Sequence, residues 1–248
     1  MIRLAQICRH PIKSIGFEEL ASAPLTQGRA LPFDREWAVL HEAAKADALT
    51  AWTPKMNFLR GVAGPELMAI RARLDEGARR VTLSHPTAGE ITLAPDTDST
   101  ALVAWLRPLW PLDRPAPARV GHVPGQAMTD VPEPFVAVLN LASNADLGAR
   151  LGRDLSVHRW RGNLWLEGLA PWAEWDLLGR TLRIGGAELR IEQRITRCKA
   201  TTVNPETGAV DADTLGALQR AFGHQDFGTY AMVTKSGPIA RGDQVEVL

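Results

Sequence analysis

Prolines at positions 108, 111, 115, 117, 124, 132 and 134 break the middle of this chain so often that no regular helix can run through it. Each ring fixes φ near −65° and removes a backbone donor. The expected organisation is therefore a first part over residues 1–107, a Pro-rich connection over 108–134 and a second part over 135–248. At 248 residues and 45% apolar content the chain can bury a core on each side of that connection without disulfide staples.

Both parts read as mainly β. In the first, short apolar runs bounded by turn residues predict strands at Ile2 to Cys8, Trp37 to His41, Leu67 to Leu74, Val81 to His85 and Ile91 to Leu93, a spacing that favours a barrel or sandwich. Asp96 to Leu106 predicts a helix, with Ala101, Leu102, Trp105 and Leu106 on one face and Pro108 limiting it. In the second part, strands are expected at Phe135 to Leu139, Ser156 to Trp160, Leu164 to Glu167, Thr181 to Ile184, Glu188 to Ile195, Ala231 to Thr234 and Gln244 to Val247. Ser143 with Asp146 reads as a capping box opening a helix that stops near Gly152, and short helices are expected at Pro171 to Leu178 and Asp211 to Ala221. The fold class expected is α+β, mainly β, with a few short helices.

Composition excludes several functions. Lys plus Arg and Asp plus Glu both number 28, so there is no whole-chain field drawing nucleic acid or anionic lipid, and any anion site must be local. No apolar run approaches the roughly 18 residues of a spanning helix, and no export signal is visible. The expectation is a cytoplasmic protein without nucleic-acid or membrane partners. Cys8 and Cys198 cannot hold an iron–sulfur cluster of the usual four-thiolate kind, so an electron relay of that kind would lie on another protein. The chain lacks Cys-x-x-Cys, His-Glu-x-x-His, a Gly-Lys-Ser/Thr phosphate loop and a Gly-x-Ser-x-Gly elbow.

What remains is local. Cys198 ends an alternating strand within Arg194-Ile195-Thr196-Arg197-Cys198-Lys199, where neighbouring cations favour the thiolate that attacks electrophiles or binds soft metals. A small buried strand residue is the alternative. Arg159-Trp160-Arg161-Gly162-Asn163 reads either as an anion clamp, with Gly162 allowing close approach to a ligand, or as loop arginines packed on Trp160. Lys13-Ser14 after the first strand and Asp34-Arg35 before another are ordinary surface features when taken alone.

Together these segments resemble the MOSC-domain proteins with an N-terminal MOSC β-barrel, a family that includes the mitochondrial amidoxime-reducing components. The resemblance spans nearly the whole chain. Its marks are His10-Pro11-Ile12-Lys13-Ser14, Asp34-Arg35-Glu36-Trp37, Arg161-Gly162-Asn163 with Glu167-Gly168, Thr196-Arg197-Cys198, Thr201 to Gly208, Phe227-Gly228-Thr229-Tyr230-Ala231 and Gly242-Asp243. The resemblance implies a β-barrel-like N-terminal domain followed by a MOSC β-barrel domain. It also implies a molybdenum cofactor in which Cys198 is the protein's thiolate ligand and catalytic centre. Lys13, Ser14, Arg35, Ser143, Arg161, Asn163, Thr196 and Arg197 are then the residues expected to hold the pterin and its phosphate through charge-assisted hydrogen bonds. Two positions depart from the family pattern: Trp52 stands where relatives often carry a basic residue, and Ile195 replaces a frequent second cysteine.

The activity implied is reduction of N-hydroxylated or other N- or S-oxygenated small molecules. Electrons would come from a separate ferredoxin- or flavoprotein-reductase-like donor, since the chain has no haem or iron–sulfur site of its own. Two alternatives stay open: a cofactor carrier without turnover, and sulfur transfer through a persulfide on Cys198.

Overall fold

A computed structural model describes residues 1–46 and 49–248. The first half contributes β1 (Ile2–Arg9), β2 (Glu18–Leu20), β3 (Ser22–Leu25), β4 (Trp37–His41), β5 (Arg71–Asp75), β6 (Arg80–His85), β7 (Gly89–Leu93), α1 (Ser99–Leu106) and β8 (Pro117–His122). The second contributes β9 (Val136–Asn140), α2 (Leu141–Arg150), β10 (Leu164–Glu167), β11 (Thr181–Ile184), β12 (Ala187–Thr196), α3 (Thr214–Phe222), β13 (Asp226–Lys235), β14 (Gly237–Ala240) and β15 (Gln244–Val247). Short 3-10 turns complete a mixed α+β fold dominated by strands.

The strands of the second half close on themselves through β1. The order β10-β9-β13-β12-β11-β15-β1 returns to β10, with β2 appended to β1. All neighbours are antiparallel except β9 and β10. Closure removes exposed sheet edges, and the period of two then sorts side chains. Val136, Val138, Leu164, Leu166, Leu189, Ile191, Ala231 and Val233 point into the barrel. Ala137, Leu139, Trp165, Ile195 and Phe227 point outward, into a second core beneath α2 and α3. This two-sided burial is why β9 is apolar from Val136 to Leu139.

The first half packs the sheet β5-β6-β7 and the pair β4-β8 around Trp37, Leu59, Leu67, Leu83 and Leu102. β8 lies inside the Pro-rich stretch expected to be irregular. Pro117 opens it, where the missing amide costs little, and the strand pairs with β4 alone.

Other expectations change as well. Leu67 is in a 3-10 turn (Pro65–Ala69), and only the segment from Arg71 is strand. Ser156 to Trp160 is not a strand but a 3-10 turn over Val157–Trp160, capped by Ser156. Pro171 to Leu178 is likewise a 3-10 turn over Ala173–Leu177. α2 begins two residues before Ser143, capped by Asn140, whose side chain accepts from the Ala142 amide. Asn140 satisfies the N-terminal donor that the sequence pattern gives to Ser143.

Candidate functional site

The loops that leave β1, precede β4 and follow the second-half turns converge on a cleft of about 190 Å³. Of the residues singled out in the sequence, Lys13, Ser14, Arg35, Arg161, Asn163, Thr196, Arg197 and Cys198 all line it. Ser143 does not: it is buried under α2, donating to Glu174 Oε2 at 2.7 Å and accepting from the Trp172 amide at 2.7 Å.

Three lining residues hold a left-handed backbone: Ser14 at φ 62°, Arg35 at φ 53° and Arg161 at φ 49°. Side chains with a Cβ visit this region rarely, so such conformations persist only where the surroundings fix them. Here they turn the side chains inward at tight corners. Arg35 Nη2 donates to the Arg161 carbonyl at 2.7 Å, and Arg161 donates back to Gly16 O at 3.0 Å and Ile12 O at 3.2 Å. Arg197 donates to Phe227 O and Trp160 O, both at 2.8 Å. The arginines thus build the cleft wall from backbone carbonyls as well as charging it.

The glycines of the motifs serve this packing. A Cβ on Gly162 would come within 2.0 Å of Leu139, so its close approach is to the barrel wall and not to a ligand. Gly228, at φ +74°, lets β13 turn beside Arg197, whose Nη2 would lie 3.3 Å from a Cβ there.

Charge is strongly one-sided. The lining carries Lys13, Arg35, Lys55, Arg60, Arg159, Arg161 and Arg197 against the single carboxylate Asp130. Arg35 is paired with Asp34, Arg159 with Asp211, and Lys13 and Lys55 share Asp130 at 2.6 and 3.4 Å. Arg161 and Arg197 pair with no carboxylate among the described residues. Burial lowers Arg161 to about 9 and Arg197 to about 10, so both stay charged at neutral pH. Arg197 Nη2 is buried with no hydrogen-bond partner. Two desolvated cations without a paired carboxylate are costly unless an anion completes them.

Cys198 follows the end of β12, exposed at the cleft, in extended conformation at φ −119°. Its carbonyl accepts from Thr201 N and Oγ1, each at 3.1 Å. Arg159 anchors the segment beyond by donating to Thr201 O and Val203 O at 3.1 Å. Among the described residues no three His, Cys, Asp or Glu cluster as a metal site, so this chain offers a single sulfur and not a full coordination set. Cys8, by contrast, is core, and burial pushes its thiol up to about 12.

Asn163 and Thr196 line the cleft with their polar groups already engaged. Asn163 accepts from Ala137 N and donates to Cys8 O, tying β1 to β9, and Thr196 donates to Asp226 at 2.7 Å. Sequence reasoning did not single out Lys55, Arg60, Asp130 or Tyr230 as site residues. Only Tyr230 lay within a quoted motif, and the others sit in loops without a local pattern.

Residues 1–106 match the family described as the MOSC N-terminal beta barrel domain, and residues 126–246 match the MOSC domain. Human mitochondrial amidoxime-reducing component 1 is 33% identical over 129 residues, covering 46% of this chain and 37% of the human protein. The mouse component 1 is 35% identical over 46% of this chain and 36% of its own length, and the bovine component 2 is 31% identical over 44% and 36%. The matched region thus spans little more than a third of these relatives.

Among solved structures, the YUAD protein of Bacillus subtilis aligns over 100% of this chain and 96% of its own, at 11% identity and TM-score 0.47. YiiM of Geobacillus stearothermophilus aligns over 46% and 53%, at 18% identity and TM-score 0.35. The expectation of a cytoplasmic protein is overturned by the curated relatives, which are named mitochondrial components. The physical reason is that lacking a helix long and apolar enough to cross a membrane, as the described residues do, specifies no compartment. Both halves therefore place the chain in the MOSC architecture, an N-terminal MOSC β-barrel domain followed by a MOSC domain, homologous to the amidoxime-reducing components and linked at family level to molybdenum-cofactor enzymes.

Proposed function

We propose that this chain is a molybdenum-cofactor-dependent reductase of N-hydroxylated or other N- or S-oxygenated small molecules. The observation that carries the reading is the combination, in one cleft, of two desolvated arginines that pair with no carboxylate among the described residues and an exposed thiol. These residues fit a group that is anionic at one end and needs one soft ligand at the other. Arg161, Arg197, Ser14 and Lys13 would hold the phosphate and pterin, and Cys198 would be the protein's thiolate to the metal.

When bound, the cofactor would supply the two-electron oxygen-atom chemistry. The chain's own part is positioning and electrostatics. Arg35, fixed by Asp34, keeps the Arg161 corner in place, and the second-half turn anchored by Arg159 sets the position of Cys198. Trp160, Phe135 and Ile195 give the cleft apolar walls that exclude water and strengthen each charged contact. Electrons would arrive from a separate donor protein.

The test is the metal content of purified protein together with oxidation of reduced viologen in the presence of benzamidoxime. Near-stoichiometric molybdenum with turnover supports the reading. Metal-loaded protein that never turns over N- or S-oxygenated compounds would instead be a cofactor carrier. A sulfide-releasable mass increase on Cys198 without bound metal would favour sulfur transfer.

A further inference from the structure

Most polar groups facing the cleft are already engaged. Lys13 Nζ donates to Met128 O and Asp130, Thr129 Oγ1 to Val131 O, and Thr201 Oγ1 to Cys198 O. Asp130 has no proton to give at neutral pH: burial opposes its charge, but Lys13, Lys55 and Arg35 hold it down at about 2. Among the described residues, the cleft hydroxyls without a hydrogen-bond partner are those of Ser14 and Tyr230.

Tyr230 is the only tyrosine of the chain. It stands on β13 opposite Gln193 of β12, the strand that leads to Cys198. Its ring stacks on Phe135 at 5.2 Å and 17°, and both rings line the cleft. No described residue hydrogen-bonds the phenol; the charged groups acting on it are Arg197, Asp130, Arg35 and Lys55. Burial, reinforced by Asp130 and opposed by Arg197, raises its pKa, so it keeps its proton at neutral pH. A serine hydroxyl such as that of Ser14 is a far weaker acid.

We propose that Tyr230 is the proton donor to the oxygen that leaves the substrate, which commits the site to compounds whose N–O bond breaks with release of water. The inference rests on the reductase reading above. In the balanced reaction the N–O bond of an N-hydroxylated compound breaks. The redox group, when bound, would supply the two electrons, replenished by a separate donor protein. One proton passes from Tyr230 to the departing oxygen and a second from water to nitrogen. The products are the N–H compound and water, and the tyrosinate, stabilised by Arg197, regains its proton through the cleft mouth.

The experiment compares metal-loaded wild type with Tyr230→Phe, a change that keeps the stack on Phe135 and removes no hydrogen bond. We expect unchanged molybdenum content and about a 100-fold lower kcat for benzamidoxime with reduced viologen, the low end of what a general acid contributes. A variant within threefold of wild type overturns the proposal while leaving the reductase reading intact. A wild type that does not reduce benzamidoxime overturns both.

A second measurement does not depend on turnover. With ring-labelled tyrosine the loaded protein shows one Cζ resonance, and benzamidoxime added without reductant should shift it. A resonance unmoved at saturating benzamidoxime overturns the contact.

Discussion

Arg35 Nη2 donates to the Arg161 carbonyl at 2.7 Å, while Arg161 reaches back to the carbonyls of Ile12 and Gly16. Arg35 therefore fixes the corner at Arg161, and Arg161 in turn fixes the turn after β1 that carries Lys13 and Ser14. The left-handed corner at Arg161 is held by the Arg35 side chain, and that at Arg35 by its own amide donating to His10 O at 2.7 Å.

Arg161→Ala should lower molybdenum content several-fold in protein purified under identical conditions. Arg161→Lys should restore it only partly, because an ammonium cannot reach two carbonyls and an anion at once. Elemental analysis per folded chain checks this. Full occupancy in the alanine variant would remove Arg161 from the anion site.

Cys198→Ala should abolish benzamidoxime reduction yet leave stability within about 0.5 kcal/mol, since the side chain is exposed and its backbone carbonyl carries the local hydrogen bonds. Urea unfolding and viologen oxidation read the two effects separately. Retained turnover would show that the thiol is not a ligand.

Ser143→Ala separates family pattern from position. It leaves Trp172 N without its acceptor and the buried Glu174 with Asn140 Nδ2, at 3.0 Å, as its remaining side-chain donor, in a place where burial already raises the Glu174 carboxyl. A loss of about 1–3 kcal/mol is expected, with molybdenum content unchanged. Reduced metal content in folded protein would mean that Ser143 acts on the cleft after all.

Short strands with a clear pattern were legible: Trp37–His41 is a continuous apolar run, and Thr181–Ile184 and Gln244–Val247 alternate. Glu18–Leu20 and Ser22–Leu25 escaped because strands of three or four residues carry almost no periodic signal. Ser156 to Trp160 carries Val157 and Trp160 as a strand would, but the chain there is a 3-10 turn capped by Ser156 and ended by Arg161 at φ 49°. Long-range facts were the least legible. No local pattern shows that β1 closes the second-half barrel, or that Asp130 meets Lys13 across 117 residues. The cleft's residue types were readable from motifs, whereas the absence of a salt bridge to Arg161 or Arg197 among the described residues emerged only from the packed structure.

His10 makes stability pH-dependent near neutrality. Its ring is fully buried, and burial, together with Arg161 and Arg35, lowers its pKa well below 6.5 despite the attraction of Asp34. Folded protein therefore keeps His10 neutral while the unfolded chain takes up a proton. The contribution is fully present above about pH 6.5 and is lost as pH falls below it, with a limiting slope of about 1.4 kcal/mol per pH unit for one proton. His158, lowered mainly by burial, acts in the same direction. Asp34 and Asp130, both depressed, add their own losses only below about pH 4. The urea midpoint should thus fall between pH 7.5 and pH 5. His10→Asn, which keeps a donor for Asp34 but does not titrate, should flatten that slope without removing the part due to His158. An unchanged slope in the variant would show that His10 is protonated inside the fold.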